Sequence, residues 1–248
     1  MHFYKIINQN IDQLRGQTVS IIGGGGKSTL IKKLSSELVE QKLKVIVTTT
    51  TKIQLLSKMG LVLTKNNPNF VSELKVIIDE LNIVQVAKEY YKKDTLNGIN
   101  RALVNELSNY ADVVLIEADG SRQRSLKTHK EYEPVIPTCT STVVVLCGAN
   151  IVGEQLNEST VHRAELFSQK WRHPFGTILT PEIISKELLS PHSYLRNAPI
   201  QAQIVYLINK IDTNAIGGKL LAEHLKRTSH HRVFKASIKK NSLKEIKF

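Results

Sequence analysis

The sequence has little cysteine, no long apolar run and no region of concentrated charge. Its 248 residues include only two cysteines, Cys139 and Cys147, which do not form a C-x-x-C pair. Two separated cysteines exclude a disulfide framework, so we expect reduced thiols in a cytoplasmic protein. No apolar run approaches the roughly 20 residues that cross a bilayer. The first residues, MHFYKIINQN, also lack the charged and apolar regions of a secretory signal.

The basic charge is scattered along the chain. The formal net charge is +12, from 34 lysines and arginines against 22 acidic residues. Such a balance can indicate nucleic-acid binding. The basic residues form only short pairs, however, and no nucleic-acid-binding signature accompanies them. We therefore expect a solvated, lysine-rich surface that attracts a polyanionic nucleotide, and we expect no nucleic-acid partner.

What the sequence does contain is a run of four glycines between a predicted strand and a predicted helix. Glycine lets backbone N–H groups approach phosphate oxygens, and a helix N-terminus and a lysine add positive charge. The hydroxyl that follows the lysine can bind Mg²⁺. The predicted phosphate-binding residues are Gly23, Gly24, Gly25, Gly26, Lys27, Ser28 and Thr29.

This loop departs from the full phosphate-loop pattern G-x-x-x-x-G-K-[ST]. The position five residues before Gly26 is Ile21, where the pattern has glycine. Either the loop opens at Gly23 and is shorter, or Ile21 still belongs to the strand. A glycine-rich turn into an ordinary helix is the alternative. The preceding strand, the Lys-Ser pair and the following helix favour the phosphate site.

A second predicted strand, Val113 to Ile116, ends in acidic residues. A carboxylate at the end of a buried strand commonly completes a phosphate site by holding Mg²⁺ directly or through water. We predict that Ser28 and Glu117 bind the metal directly. Asp119 would either contact these ligands without touching the metal or orient a water molecule. Arg122 could neutralise phosphate charge, as an arginine finger supplied in cis does, or could be a solvated loop charge. The pattern E-x-x-G, formed by Glu117 and Gly120, is typical of the metallochaperone-like GTPases.

Four threonines end the predicted second strand. Threonine is β-branched, so a simple extension of the strand explains the run. Ligands gather at the carboxyl ends of strands in α/β sheets, however, and these threonines stand at such an end. We therefore predict that Thr50 and Thr51 lie near the γ-phosphate.

The third candidate element is N-K-x-D after a predicted strand at Ile204 to Ile208. The Asp212 carboxylate can accept hydrogen bonds from guanine N1–H and the exocyclic amine, a donor pair that adenine lacks. The Lys210 stem would pack over the base and Asn209 would hold the loop. This pattern favours GTP slightly over ATP.

Hydrophobic periodicity predicts an α/β fold of three layers, with a mostly parallel central sheet between helices in one domain, residues 1–248. Among the helices, we expect short ones at 6–14 and 53–58, one with Leu96 on its apolar face that ends near Tyr110, and one at 159–170. Thr180-Pro181-Glu182 is a further helix start.

The segments GGGGKST, TTTTK, LIEADGSR, EPVIP, GANIVGEQL, HRAE and LINKID follow one another in this order. In these segments the chain resembles the YqeC family, accessory proteins for selenium-dependent molybdenum hydroxylases. The resemblance runs from about Val19 to about Asp212 and implies a P-loop NTPase fold. It further implies a role in maturing a selenium-containing molybdenum cofactor, with a molybdenum hydroxylase or its cofactor-assembly proteins as partners. Residues 123–125 depart from the Gly-Leu-Pro-like turn common in the family, whereas the His162-Arg163 pair recurs there.

The expected function is binding of GTP or ATP with Mg²⁺ and slow hydrolysis that drives a conformational switch. Lys27, Asp119 and Arg122 are the predicted catalytic residues. A small-molecule kinase or nucleotidyl transferase is the first alternative and would need an acceptor pocket and a base such as Asp119. The second alternative is a non-catalytic module that binds nucleotide or nucleic acid on a degenerate loop.

Overall fold

The computed structural model describes residues 2–247, and its centre is a nine-stranded sheet. In chain order the strands are β1 Gln17–Gly23, β2 Val45–Thr49, β3 Lys52–Gln54, β4 Gly60–Leu63, β5 Ile83–Ala87, β6 Glu89–Lys92, β7 Thr95–Asn97, β8 Val113–Glu117, β9 Leu126–Lys127, β10 Thr142–Gly148, β11 Val161–His162, β12 Gln203–Asn209, β13 Arg232–Ser237 and β14 Ser242–Glu245. The helices are α1 Lys27–Glu40, α2 Phe70–Leu81, α3 Arg101–Leu107, α4 Ala164–Trp171, α5 Pro181–Leu188 and α6 Ala215–Thr228.

The strand order of the large sheet is β14-β13-β12-β10-β1-β8-β2-β5-β4. Every neighbouring pair is parallel except β13 and β14 at one edge. The central strands are apolar without alternation, and all five residues of β8 are buried. Continuous apolar strands of this kind need cover on both faces.

Helices provide that cover on both faces of the sheet. The apolar side chains of α1 pack with the N-terminal 3-10 turns Phe3–Ile6 and Ile11–Leu14 in one core cluster. Buried residues of α2 to α6 belong to the other cluster. The predicted three-layer α/β fold is therefore confirmed, with α1 on one side of the sheet and the other five helices on the opposite side.

The predicted N-terminal helix at 6–14 is wrong, because two 3-10 turns occupy this region. The Asn8 side chain accepts a hydrogen bond from Asn10 N–H at 3.0 Å, and the Asn10 side chain accepts one from Asp12 N–H at 3.0 Å. Such local bonds from asparagine side chains compete with helical hydrogen bonds.

Two further helix predictions fail because their residues form a small antiparallel sheet, β3-β7-β6. The predicted helix at 53–58 is replaced by β3, in which Ile53 is buried between two exposed neighbours. Leu96 lies opposite Ile53 on β7 rather than on a helix. The following helix begins only at Arg101, because the Asn100 side chain accepts from Leu103 N–H at 2.8 Å and caps it.

The helix predicted at 159–170 begins later, at Ala164. Asn157 Oδ1 accepts hydrogen bonds from the N–H groups of Ser159 and Thr160, which forms a turn there. His162 pairs with Lys127 in the two-stranded sheet of β9 and β11, and Arg163 has a left-handed backbone with φ 65°. The helix start predicted at Thr180-Pro181-Glu182 is confirmed by α5.

The two cysteines are not bonded to each other. Cys147 is buried and Cys139 half-buried, and both are free thiols. Within residues 2–247, no helix is both long enough and apolar enough to cross a membrane.

Candidate nucleotide-binding site

The glycine loop joins the end of β1 to the start of α1, as the sequence predicts. Ile21 is fully buried inside β1, so the loop opens at Gly23. A Cβ on Gly24 would lie 2.2 Å from the Arg124 carbonyl oxygen. Gly25 has φ 89°, and a Cβ there would lie 2.6 Å from Gly148 N. These two positions therefore accept only glycine in this conformation.

Lys27 folds back over this loop and is only 4% exposed. Its Nζ donates to the Gly23 carbonyl at 2.6 Å and to Ser121 Oγ at 3.3 Å. The same nitrogen lies 3.2 Å from Asp119 Oδ1 and 3.8 Å from Glu117 Oε1. The ammonium group thus sits between the glycine loop and the carboxyl end of β8.

Ser28 and Glu117, the predicted metal ligands, are in contact. The strand β8 pairs with β1 so that Glu117 lies opposite Ile21, and the Ser28 hydroxyl donates to Glu117 Oε2 at 3.2 Å. Burial raises the pKa of Glu117, and the positive charge of Lys27 opposes this only in part. A hydroxyl and a carboxylate are suitable ligands for Mg²⁺, which usually takes one or two carboxylates together with phosphate oxygens and water. Among residues 2–247, no group of three His, Cys, Asp or Glu side chains could hold a metal alone.

Asp119 is fully buried and connects the loop to several cations. Its Oδ2 accepts from the Gly23 N–H at 2.9 Å and lies 2.7 Å from His129 Nε2 and 3.5 Å from Lys127 Nζ. Burial alone would raise the pKa of Asp119. The charges of Lys27 and Lys127 and the hydrogen bond to His129 outweigh that effect and hold this pKa well below its usual range. Asp119 is therefore an anion that positions the glycine loop.

Sequence reasoning missed the charged groups that surround Lys127. This lysine is fully buried, donates to the Gly120 carbonyl at 2.7 Å and lies 3.2 Å from Glu133 Oε2. Glu133 also accepts two hydrogen bonds from Arg163. Burial opposes ionisation, yet Arg163 and Lys127 lower the pKa of Glu133 to about 2. Glu133 begins the segment EPVIP and Arg163 lies in HRAE, so two segments of the family resemblance meet here.

A chain of polar contacts continues from His129 to the helices α4 and α5. His129 Nδ1 lies 3.3 Å from Ser193 Oγ, and the Ser193 hydroxyl donates to Glu187. The other oxygen of Glu187 accepts from Trp171 Nε1 at 2.7 Å and from Lys170 Nζ at 3.0 Å. Because these residues are distant in sequence, no local pattern could have predicted the connection.

The threonine run lies beside the end of β8, and its hydroxyl groups bind backbone carbonyls. Thr49 donates to the Glu117 carbonyl at 2.6 Å and Thr50 to the Val135 carbonyl at 2.7 Å. Thr51 lines a large cavity that also includes Gly120 and Arg122. The role of Thr50 and Thr51 near a γ-phosphate stays a prediction. Arg122 is exposed and faces this cavity.

The predicted base-reading loop is tied to the glycine loop by Asn209. Its Nδ2 donates to the Gly25 carbonyl at 2.8 Å, and its Oδ1 accepts from Ile238 N–H at 3.0 Å. Asp212 is exposed, and the Ser237 hydroxyl, with Lys240 and Lys239 nearby, lowers its pKa. Asp212 is thus an ionised acceptor at the surface.

Lys210 and the Ser121 to Ser125 segment cover part of the glycine loop. Lys210 Nζ donates to Ser125 Oγ at 2.9 Å, and the Gly25 N–H donates to the Arg124 carbonyl at 3.1 Å. Arg122 and Gln123 have positive φ angles of 46° and 64° in this segment. The predicted binding of phosphate to the Gly25 N–H therefore requires the Arg124 carbonyl to move away.

Comparisons with known proteins identify relatives of this chain. A family model described as YqeC protein matches residues 19–165. The uncharacterized protein YqeC of Escherichia coli (strain K12) is 26% identical over 224 residues, which cover 87% of this chain and 85% of that protein. A crystal structure of hydrogenase maturation factor HypB from Archaeoglobus fulgidus aligns over 96% of this chain and 91% of that one. The two structures align with a TM-score of only 0.40 and a sequence identity of 15%.

Replacing Asp119 tests its role as the buried anion of the site. We expect Asp119→Asn to lower the free energy of unfolding by about 3–5 kcal/mol, because Lys27 and Lys127 would keep buried charges without this carboxylate. The control is Asp79→Asn, which breaks an exposed pair with Lys44 and should cost at most about 1 kcal/mol. Urea unfolding measures both values, and equal losses would contradict this role.

The half-buried His162 predicts a pH dependence of stability. Burial, together with the charges of Arg163, Lys127 and Arg122, lowers the pKa of His162 from 6.5 to about 4. As the pH falls, His162 of the unfolded chain therefore binds a proton at a higher pH than His162 of the folded chain. The folded state consequently loses stability as the pH falls from 6.5 towards 4.

We expect His162→Gln to flatten this part of the stability profile, measured by urea unfolding at a series of pH values. His2→Gln is the control, because His2 is exposed and lies outside the cavity. A slope that His162→Gln leaves unchanged would show that His162 is not the responsible group.

Proposed function

The chain belongs to the YqeC family, and we propose that it binds a nucleoside triphosphate with Mg²⁺ and hydrolyses it slowly, with GTP slightly favoured over ATP. The observation that carries this proposal is the contact of Ser28 with Glu117 beside a buried Lys27 on a glycine loop. These groups supply a cation, a hydroxyl and a carboxylate at one end of a parallel sheet, where α/β proteins bind ligands.

The triphosphate would lie along the glycine loop and the first turn of α1. The N–H groups of Gly25 and Gly26 would donate to phosphate oxygens, assisted by the positive end of the helix, whereas the Gly24 N–H donates to the Leu146 carbonyl at 2.9 Å. Lys27 Nζ already lies over the loop, 2.6 Å from the Gly23 carbonyl. A small shift of this ammonium group from the carboxylates would bring it to the phosphates.

Ser28 and Glu117 fit a magnesium ion, because their oxygens are adjacent and both are hard ligands. When bound, the ion would neutralise phosphate charge in the transition state. Asp119 would hold the Gly23 N–H in place during the reaction. Arg122, exposed on the adjacent segment, is the proposed second cation for phosphate charge.

Base recognition is proposed for the loop that follows β12. Asp212 is an exposed, ionised acceptor, suited to the two adjacent donors of guanine. Asn209 bonds both the Gly25 carbonyl and the Ile238 N–H, so it fixes this loop relative to the phosphate loop. The Lys210 side chain would have to leave Ser125 to pack over the base.

The contact between Gly25 and Arg124 supports a switch. A phosphate that takes the Gly25 N–H would release the Arg124 carbonyl and the turn that contains it. Binding and hydrolysis would then change the conformation of residues 121–125. Such a cycle suits an accessory protein better than an enzyme that makes a product.

A small-molecule kinase is the second candidate, favoured by the large cavity next to Gly120. Asp119 is an unsuitable base for it, because this carboxylate is fully buried and holds Gly23, Lys27 and His129. Transfer of the labelled γ-phosphate of GTP to an acceptor would support the kinase, whereas release of free phosphate supports the switch.

The biological role we propose is maturation of a selenium-dependent molybdenum hydroxylase, and its support is family membership. Hydroxylase activity should fall in cells that lack this chain. Wild-type protein should restore that activity and Ser28→Ala should not.

Replacing Ser28 tests the magnesium site. We expect Ser28→Ala to weaken GTP binding about tenfold or more in Mg²⁺, because one metal ligand is lost, and to change it little in EDTA. Calorimetry measures the affinities. Ser36→Ala is the matched control, since Ser36 is an exposed serine on the same helix that bonds only Glu40. The magnesium site would be refuted by equal behaviour of the two variants.

Replacing Asp212 tests base recognition. We expect Asp212→Asn to weaken GTP binding about tenfold to a hundredfold, through loss of hydrogen bonds to a charged acceptor, and to leave ATP binding unchanged. The amide should also favour xanthosine triphosphate, whose base has a carbonyl in place of the guanine amine. Asp94→Asn, another exposed aspartate, is the control. Unaltered GTP affinity in Asp212→Asn would rule out guanine reading by this residue.

A further inference from the structure

A cavity of about 1350 Å³ lies beside the proposed nucleotide site. Gly120 and Arg122 form its wall on the side of the phosphate loop, and residues of α4 form part of the opposite wall. The glycine loop and the base-reading loop do not contribute to its lining. This volume exceeds the roughly 300–1,000 Å³ of usual ligand pockets, so a small molecule would occupy only part of the cavity.

The lining of this cavity is rich in positive charge. It contains six lysines and arginines against four glutamates. One of the glutamates, Glu133, is already paired with Lys127 and Arg163. No carboxylate among residues 2–247 forms an ion pair with Arg122, Lys130 or Arg196. Three glutamates of the lining, Glu131, Glu158 and Glu165, also form no ion pair among residues 2–247. Because Arg122 is assigned to the nucleotide, Lys130 and Arg196 are the cations available to a second anionic ligand.

Two buried or half-buried histidines line the cavity, and the half-buried His162 reports the same positive environment. The pKa of His162 is lowered by burial and then by the charges of Arg163, Lys127 and Arg122. Burial lowers the pKa of His129 as well, with Lys127 adding to the effect and Asp119 opposing it. Both side chains line the cavity, but both ring nitrogens of His129 already face Asp119 and Ser193, so of these two only neutral His162 is suited to donate a ring N–H to an anion.

We propose that this cavity binds a small molecule that carries phosphate groups, held by Lys130 and Arg196, as a second ligand beside the nucleotide, while Arg122 serves the nucleotide. Arginine presents a planar fork of donors that matches phosphate oxygens, and lysine adds a point charge. Arg196 uses one guanidinium nitrogen to donate to the His192 carbonyl at 2.7 Å, which fixes its position and leaves other donors for the ligand.

The position of the cavity links this second ligand to the phosphate loop. Gly120 lines the cavity, and its carbonyl accepts from Lys127 at 2.7 Å. The preceding residue, Asp119, holds the Gly23 N–H at 2.9 Å. The two ligands would thus be separated by a single segment of backbone. The second site does not depend on the identity of the nucleotide, nor on whether it is hydrolysed.

Pyrophosphate binding to the full chain, measured by calorimetry in EDTA without nucleotide, tests this site. We expect Lys130→Ala/Arg196→Ala to weaken pyrophosphate binding at least about tenfold, because two charged hydrogen-bond donors are removed. The matched control is Lys32→Ala/Lys75→Ala, which removes the same charge from exposed positions outside the cavity. The control should bind pyrophosphate within about twofold of the wild type.

The proposal is overturned if the wild type does not bind pyrophosphate, or if the two double variants bind it equally. Equal binding would place the anion at the glycine loop or spread it over the basic surface. GTP affinity of Lys130→Ala/Arg196→Ala, measured separately in Mg²⁺, should match that of the wild type. This result distinguishes a lost second site from a failure of the nucleotide site.

Discussion

The buried negative charge of Asp119 is the constraint on which this site depends. A carboxylate with no solvent exposure is stable only when cations and hydrogen-bond donors surround it. Lys27 and Lys127 approach from two sides, while the Gly23 N–H and His129 complete its surroundings. Among these partners, Gly23 begins the glycine loop, whereas Lys127 and His129 follow the end of β8. The carboxylate therefore fixes the distance between the two halves of the proposed phosphate site, which are the glycine loop and the residues that follow β8.

The order of strands explains how these halves come together. β8 lies directly beside β1, so the residues that leave both strands emerge at the same edge of the sheet. That adjacency brings Ser28 within 3.2 Å of Glu117, although the two residues are far apart in sequence. On the other side of β1, β10 and then β12 follow, and Asn209 at the end of β12 reaches the Gly25 carbonyl. The sheet thus places the proposed metal ligands and the proposed base-reading loop on opposite sides of the glycine loop.

Local sequence patterns were sufficient for the elements that carry these motifs. Strand β1, helix α1 and the strands before Glu117 and Asn209 follow from continuous apolar runs and helical spacing. The failures occur where side chains bond the nearby backbone, as at Asn10, or where short alternating segments pair with distant ones, as in β3 and β7. Lys127 was the hardest to predict: a buried lysine looks like any surface lysine until the fold supplies its carboxylates.

The central claim is that the glycine loop exchanges its own contacts for those of a triphosphate. Amide hydrogen exchange with and without GTP and Mg²⁺ measures this exchange directly. The account predicts slower exchange at residues 26–28, where phosphate would take the N–H groups, and faster exchange at residues 121–125, where opening of the turn would break the bond from Arg124 N–H to the Ser121 carbonyl. Unchanged exchange in both segments at saturating GTP and Mg²⁺ would contradict it.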